Sequence, residues 1–196
     1  MGRKVGTICM ILGAVLIFAA LSLFLWNRQQ DRQAGELAEE VLPRIEEQIE
    51  ENNSGETASV DPYSQEMPET EIDGNSYIGY LSIPSLGLEL PVMSEWSYPR
   101  LRTAPCRYSG STKTGDLVIA AHNYSRHFGQ IKNLKPGDEV SFTDLDGVVM
   151  DYRVAEVDTL NPTDVEEMTD SGYALTLFTC TYGGRSRVTV RCNACD

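Results

Sequence analysis

The chain has 196 residues, which suits one compact domain with accessory segments, and its formal net charge is −13. Without Arg3 and Lys4 near the N-terminus, 14 of the 16 Lys and Arg residues remain against 29 Asp and Glu, a balance of −15. Such a surface repels phosphate backbones, which argues against nucleic-acid partners and tolerates cationic ones such as amines.

An uncharged apolar run fills residues 5–26. As a helix it would rise roughly 30 Å, enough to cross the hydrocarbon core of a bilayer. The basic pair before it favours a cytoplasmic N-terminus, residues 1–4, although Arg28 and Arg32 weaken that signal. A cleaved signal peptide is the alternative, but the run is long for one and shows no clear cleavage site. Either way the rest of the chain is exported, and we expect it to stay anchored to the cell membrane by this single span.

Residues 27–76 are polar and acidic, and we expect a stalk helix followed by a flexible linker. Residues 53–76 are rich in Glu, Ser, Pro and Gly, a composition typical of linkers. Pro43 is expected to kink or interrupt the stalk helix. The stalk carries a narrow apolar stripe at a spacing of four residues, with a partner-binding helix as the alternative interpretation: Leu37, Val41, Ile45 and Ile49.

From residue 77 the composition changes to short β-type runs separated by turn signals. Two short helical stretches are expected, at 127–134 and at 162–168, the second capped by Asn161. Six to eight short strands with so little helix predict a single closed barrel or sandwich over residues 77–196. The predicted strands are 77–83, 88–93, 116–121, 139–143, 148–157, 174–180 and 187–192.

The strongest chemical signal is Cys180, which ends a predicted strand and is followed by a Gly-Gly turn and a strand carrying Arg187. Two adjacent antiparallel strands would bring the thiol and the guanidinium together. A fixed cation lowers the pKa of a thiol and can hold a developing oxyanion. Arg185 and Arg191 share the parity of Arg187, but the first lies in the turn and the second too far along the strand. Taken alone, a strand-end cysteine is more often a small buried hydrophobe.

The second signal is His122, which follows an apolar strand and would lie at the rim of the domain. A cysteine enzyme needs a group of near-neutral pKa to exchange protons with the leaving amine. The only other histidine, His127, opens a predicted helix. We therefore expect His127 to be a surface or capping residue.

Together these elements resemble the sortase family of cysteine transpeptidases. TLFTC at 176–180 fits the TLxTC signature of the family, and AHN followed by FGQIKNLKPGDEV resembles its histidine strand and the elements after it. Arg187 followed by Val-Thr-Val matches the family's arginine strand, and residues 77–92 resemble its two opening strands. Ala121 replaces a glycine common in relatives. The resemblance covers residues 77–191 and implies a mostly β fold, a closed sortase-type barrel of about eight strands.

The resemblance implies that Cys180 is the nucleophile, His122 the general acid–base and Arg187 the oxyanion-stabilising group. The reaction would cleave an LPxTG-like sorting signal through a Cys thioester and transfer the acyl group to an amine. That amine would belong to a cell-wall precursor or a pilin lysine at the outer face of the cell membrane. Candidate substrate-binding residues are Thr176, Thr179 and Asn123.

The resemblance leaves the sortase class open, with a class A-like or class D-like enzyme favoured. Class B is less favoured because no long helical insertion precedes TLFTC. The triplet Asp61-Pro62-Tyr63 resembles the lid motif of pilin-polymerising class C sortases. Such triplets also arise by chance in linkers, and the sequence lacks the C-terminal membrane segment common in class C, so a lid is the less favoured interpretation.

Two features stand outside the resemblance. Cys192 and Cys195 form a CxxC that follows a strand instead of opening a helix, so an adventitious pair, a strained disulfide and half a metal site stay open. The acidic loop 144–146 is of a kind that binds calcium, but such loops are usually solvated. No cofactor or metal is therefore predicted.

Two other functions compete with a sortase. One is an extracellular cysteine hydrolase, such as a wall peptidase, although papain-like enzymes place their cysteine before the histidine and here His122 comes first. The other is a non-catalytic, membrane-anchored binding module.

Overall fold

The computed structural model describes residues 2–54 and 66–195. The three residues of the predicted lid, Asp61, Pro62 and Tyr63, lie outside those ranges. Within them the chain forms two α-helices, nine strands and short 3₁₀ turns. The helices and strands are α1 (Gly2–Ser54), β1 (Thr70–Ile72), β2 (Asn75–Ile83), β3 (Leu88–Met93), β4 (Cys106–Ser109), β5 (Leu117–Ala121), β6 (Glu139–Asp144), β7 (Val149–Leu160), α2 (Val165–Thr169), β8 (Leu175–Cys180) and β9 (Arg187–Ala194).

Eight of the strands close into a barrel. Their order is β2-β3-β4-β5-β8-β9-β7-β6, and β6 pairs back to β2. Strand β1 adds a short hairpin at the start of β2. Closure requires a glycine where β2 meets β6, because a Cβ on Gly79 would lie 2.0 Å from the carbonyl oxygen of Thr143. The predicted closed barrel of about eight strands is confirmed.

Two strands were not predicted from the sequence. The last part of the predicted linker is wrong, because β1 and the first residues of β2 lie within it. Ile72 is buried there, and the turn at Asp73 and Gly74 takes positive φ angles that suit a tight hairpin. Strand β4 escaped notice because Cys-Arg-Tyr-Ser shows no clear alternation of apolar and polar residues.

The sheet has a core on each face. Alternate residues of β5 and β8 serve the two cores: Leu117 and Ile119 pack inside the barrel, whereas Val118, Ala120 and Phe178 pack on its outer face. The outer core is covered in part by α1. This second face matters for function, because it carries the candidate site.

Helix α1 runs through Pro43 as one continuous α-helix, so the predicted interruption is absent. The proline leaves the carbonyl of Glu39 without its helical donor, but Glu39 is exposed and water can replace that bond. The predicted stripe packs on the barrel of the same chain, with Val41, Ile45 and Ile49 buried. Leu37, the first residue of the predicted stripe, is 38% exposed and is not buried with the other three.

Both predicted helical stretches are present, but the predicted helix cap is displaced. A short 3₁₀ turn at Phe128–Asn133 and helix α2 lie where helical stretches were predicted. The cap of α2 is Asp164, and Asn161 instead donates its side-chain amide to the Asp164 carboxylate at 2.9 Å. The prediction of Asn161 as the cap was wrong by three residues.

Candidate active site

Cys180 and Arg187 are direct register partners on the antiparallel strands β8 and β9. Such partners have Cβ atoms about 5 Å apart and point to the same face of the sheet. The turn between them is closed by backbone hydrogen bonds from Thr181 N to Ser186 O at 2.9 Å and from Gly184 N to Thr181 O at 2.8 Å. The hairpin therefore presents a thiol and a guanidinium side by side.

His122 reaches the same place from the other side of β8. Strands β5 and β8 run parallel, with Ala121 opposite Thr179, so His122 follows at the level of Cys180. The buried hydroxyl of Thr179 donates to the carbonyl of Ala121 at 2.8 Å. This bond joins the two strand ends that carry the imidazole and the thiol.

One cleft of about 190 Å³ is lined by the side chains of His122, Cys180 and Arg187. It lies on the outer face of the barrel, where the β3–β4 loop and the β7–β8 segment containing α2 form its walls. Cys180 is partly exposed and is a free cysteine, so its thiol is open to a substrate in the cleft. The apolar residues of the lining include Leu101, Pro162, Val165, Met168 and Phe178.

The pKa of His122 is lowered, first by burial of its imidazole and second by the positive charge of Arg102. Arg102 lies on the 3₁₀ turn Arg100–Arg102. Sequence analysis did not single out this residue, because its turn carries no motif and its distance along the chain from His122 hides their proximity.

The guanidinium of Arg187 is held by its own hairpin turn. Its Nη1 donates to the carbonyls of Gly184 and Ser186, each at 3.2 Å. An arginine carries five N–H donors, so one nitrogen anchors the group while others can serve an oxyanion. The side chain is therefore both fixed and chemically competent.

The rival arginines have different surroundings. Arg191 is 14% exposed and its Nη1 lies 2.7 Å from Glu156 and 3.4 Å from Asp158. Its Nη2 donates to the carbonyl of Glu167 at 3.2 Å, which ties β9 to the segment around α2. Arg185 is exposed in the turn. Of the three, Arg187 is the one that lines the cleft beside Cys180.

The three candidate substrate-binding residues are placed differently. Thr179 lines the cleft, although its hydroxyl is bonded to Ala121. Thr176 is buried, with its Oγ1 3.2 Å from the Oγ of Ser171, so its hydroxyl faces the loop before β8. Asn123 is exposed on the loop that follows His122.

His127 lies at the N-cap position of the turn Phe128–Asn133, but its side chain makes no capping hydrogen bond and is 0% exposed, so the prediction of a surface residue was wrong. Its ring lies 5.6 Å from that of Tyr124, which in turn lies 4.9 Å from the ring of His122. Burial, followed by the neighbouring His122, lowers the pKa of His127 to about 4. The error arose because nothing in the sequence showed that α1 would cover this loop.

A set of contacting aromatic rings, which sequence analysis missed, leads into the cleft. The ring centroids of Trp96 and Tyr108 lie 5.2 Å apart, and those of Tyr108 and Phe178 lie 5.1 Å apart. Tyr98, 69% exposed, meets Trp96 edge-on at 5.7 Å. The available signal was the scarcity of tryptophan, since the chain has only two.

Of the CxxC cysteines, Cys192 lies within β9 and Cys195 follows its last residue. Cys192 is in the barrel core, where burial raises the pKa of its thiol to about 12, and Cys195 is exposed. The placement of the two residues does not bring their sulfur atoms together as a pair. Both are free cysteines.

The acidic loop at the β6–β7 turn is closed by the carboxylate of Asp144. The Oδ1 of Asp144 accepts backbone N–H groups from Asp146 and Val148 at 3.0 and 2.9 Å. The ammonium of Lys113 lies 3.9 Å from the carboxylates of both Asp144 and Asp146. Among the described residues, no group of three or more His, Cys, Asp or Glu side chains is arranged to hold a metal ion.

The family model of the sortase domain matches residues 81–194. The chain belongs to the sortase family. Sortases are cysteine transpeptidases that act on proteins bearing sorting signals, and they are in general free of cofactors.

Two curated relatives are similar to this sortase. Sortase A of Bacillus anthracis is 31% identical over 125 residues, which span 61% of this chain and 59% of the relative. Sortase A of Listeria monocytogenes is 25% identical over 197 residues, covering 91% of this chain and 83% of the relative. The match to the B. anthracis protein thus spans less than two thirds of that relative's length.

Solved structures share the fold. A sortase D5 transpeptidase of Clostridium perfringens aligns with a TM-score of 0.61 and 19% identity, covering 82% of this chain and 99% of its own. At that identity the likeness concerns the fold alone. Helix α1 from Gly6 onward contains an apolar segment long enough to cross a membrane, and it is close to the N-terminus.

Proposed function

We propose that this sortase is a membrane-anchored cysteine transpeptidase with Cys180 as nucleophile, His122 as general acid–base and Arg187 as oxyanion stabiliser. The observation that carries the proposal is the convergence of these three side chains on one cleft, with Cys180 and Arg187 opposite each other in register. Two strands adjacent to β8 supply the other two groups, so the geometry is built into the sheet.

In the first half-reaction the thiolate of Cys180 attacks the carbonyl carbon of the Thr-Gly bond in an LPxTG-like sorting signal. The oxyanion that forms accepts hydrogen bonds from Arg187. His122, which has taken the proton of the Cys180 thiol, donates it to the departing glycine amine, and an acyl thioester remains on Cys180.

In the second half-reaction an acceptor amine attacks the thioester. His122 takes the proton of that amine, an amide bond forms, and the sulfur of Cys180 leaves as the thiolate. The acceptor would be an amine of a cell-wall precursor or a pilin lysine. This sequence of steps uses no cofactor.

The proposed domain organisation places residues 5–26 in the membrane, residues 1–4 in the cytoplasm and the barrel outside the cell. The length and composition of the apolar segment support the span. Tethering raises the effective concentration of the enzyme near substrates that are delivered at the same surface. From residue 6 to Trp26 nearly all residues are exposed, which agrees with contact with lipid.

The test is an assay of the full chain in detergent micelles with a quenched LPxTG-type peptide and an amine acceptor. We expect an amide product by mass spectrometry, and its loss in Cys180→Ala. Product that forms only by hydrolysis, with or without acceptor, would favour the cysteine hydrolase. Full activity in Cys180→Ala would refute the nucleophile, and absence of any reaction of Cys180 with thiol-reactive substrate analogues would favour a binding module.

A further inference from the structure

The part of α1 that follows the apolar segment contacts the loop that carries His122. The hydroxyl of Tyr124 donates to the Oε1 of Gln30 at 3.1 Å. The backbone N–H of Arg126 donates to the Oδ1 of Asp31 at 3.3 Å, and the hydroxyl of Ser125 donates to the other oxygen of the same carboxylate. Two consecutive helix residues therefore hold three consecutive loop residues.

A second contact lies farther along the helix. The guanidinium of Arg126 pairs with Glu39 at 2.8 Å. Its aliphatic stem crosses Gly35, where a Cβ would lie 3.0 Å from the Cγ of Arg126. The absence of a side chain at Gly35 lets the loop lie close to the helix.

The loop itself is tightly closed on His122. The carbonyl of His122 accepts the N–H of Phe128 at 3.1 Å. The carbonyl of Tyr124 accepts the N–H groups of His127 and Gly129 at 3.0 and 2.8 Å. The ring of Tyr124 contacts both imidazoles, with centroid distances of 4.9 Å to His122 and 5.6 Å to His127. A direct line of contacts thus leads from Gln30 through Tyr124 to the imidazole of His122.

We infer that the juxtamembrane segment of α1 is a positioning element of the active site, in which Gln30 orients His122 through Tyr124 and Asp31 holds the same loop through Ser125 and Arg126. This inference rests on the proposed function, since it assigns the orientation of the general acid–base. Gln30 follows Trp26 by four residues, a rise of about 6 Å, so the contact lies just beyond the apolar segment. One helix would then both anchor the enzyme and complete its site.

Small displacements at such a site have large effects, because proton transfer needs the imidazole within hydrogen-bond reach of the reacting amine. We therefore expect Gln30→Ala and Tyr124→Phe to lower kcat roughly tenfold and to leave KM nearly unchanged. Gln30→Glu keeps an acceptor oxygen for the tyrosine and should retain kcat within about threefold. The matched control is Gln33→Ala, an exposed glutamine on the same helix.

A second readout does not depend on turnover. The chain has only two histidines, so the imidazole NMR signals can be assigned with one His122→Gln variant. Burial and then Arg102 lower the pKa of His122; the ring of Tyr124 contacts its imidazole, and His127 interacts with it electrostatically. Loosening the loop admits water to the imidazole, so its pKa should rise in Gln30→Ala and Tyr124→Phe but not in Gln33→Ala.

The experiment uses the full chain in phospholipid nanodiscs, with the LPxTG-type peptide and amine acceptor for kcat and KM and NMR for the titration. Loss of kcat with a raised His122 pKa in Gln30→Ala and Tyr124→Phe, and recovery in Gln30→Glu, would support the inference. Values of both quantities equal to those of Gln33→Ala, or equal losses in Gln30→Glu and Gln30→Ala, would overturn it. A wild-type chain without turnover would refute the proposed function, and the titration would still decide the positioning role.

Discussion

The hydroxyl of Thr179 donates a 2.8 Å hydrogen bond to the carbonyl of Ala121, one residue before each of the two groups that meet in the cleft. The bond is buried and crosses between β8 and β5. It therefore fixes the distance between the backbones of Cys180 and His122. This arrangement gives the second threonine of TLFTC a physical role that spacing alone did not reveal.

Thr179→Val should lower kcat by more than its loss of folding stability can explain. The variant leaves the carbonyl of Ala121 without its buried donor, which costs about 1–3 kcal/mol of unfolding free energy. It also frees the two strand ends, so we expect kcat to fall roughly tenfold or more. Thr176→Val is the matched control, because it removes another buried hydroxyl from the same strand. Denaturant unfolding and transpeptidation rates check both; equal kcat in the two variants would contradict the role.

Arg187→Lys should lower kcat by about 10²–10³-fold although it keeps the charge. A lysine is a point charge without the planar fork, so it cannot be held by the carbonyls of Gly184 and Ser186 and serve an oxyanion in the same geometry. Arg185→Lys, in the exposed turn of the same hairpin, should leave kcat unchanged. Steady-state kinetics with a peptide and amine decide this, and an Arg187→Lys enzyme with more than a third of wild-type kcat would exclude the role.

Arg102→Gln should raise the pKa of His122. A nearby positive charge disfavours the imidazolium, so its removal favours protonation, while the larger effect of burial remains. NMR titration of the imidazole measures the direction. Arg100→Gln is the control from the same turn, because that guanidinium is paired with Glu95 at 2.9 Å. A His122 pKa that is unchanged or lower in Arg102→Gln would contradict the electrostatic assignment.

His127 should make the fold acid-sensitive. Its pKa is lowered to about 4 in the folded chain, whereas an unfolded histidine titrates near 6.5. Its neutral form therefore contributes stability that is present above about pH 6.5 and is lost as the pH falls toward about 4. At pH 5 the loss is about 2 kcal/mol relative to neutral pH.

Urea unfolding in detergent micelles at pH 7 and pH 5 measures that loss. His127→Phe, which fills the site with a ring that does not titrate, should show a smaller decrease between the two pH values than the wild type. His122→Gln should keep most of the wild-type decrease, since the His127 site is intact. The assignment fails if His127→Phe loses as much stability as the wild type.

The barrel was predictable because short apolar runs and turn residues mark strands locally, and the strand carrying Arg187 alternates apolar and polar residues. Strand β4 was not predictable, since its four residues alternate weakly and their place in the sheet depends on neighbours distant in sequence. The stripe of α1 revealed an apolar face but not its partner. Only the folded chain shows that this face covers the barrel and that the helix reaches the loop of His122.

The proximity of Arg187 and Cys180 could be predicted from the sequence, because side-chain alternation and a short turn strongly constrain the geometry of a hairpin. Arg102 and the burial of His127 depend on the β3–β4 loop and on α1, whose positions are set by tertiary packing. Loops and docked helices carry little local signal. The sequence therefore predicted the candidate reacting groups, but not the neighbours that shift the pKa of His122.

The most direct measurement is intact-protein mass spectrometry of the full chain mixed with an LPxTG-like peptide in the absence of an acceptor amine. We expect an adduct with the mass of the peptide up to its threonine, located on Cys180 by fragmentation and discharged when an amine is added. An adduct on another cysteine, or covalent turnover that persists in Cys180→Ala, would contradict it.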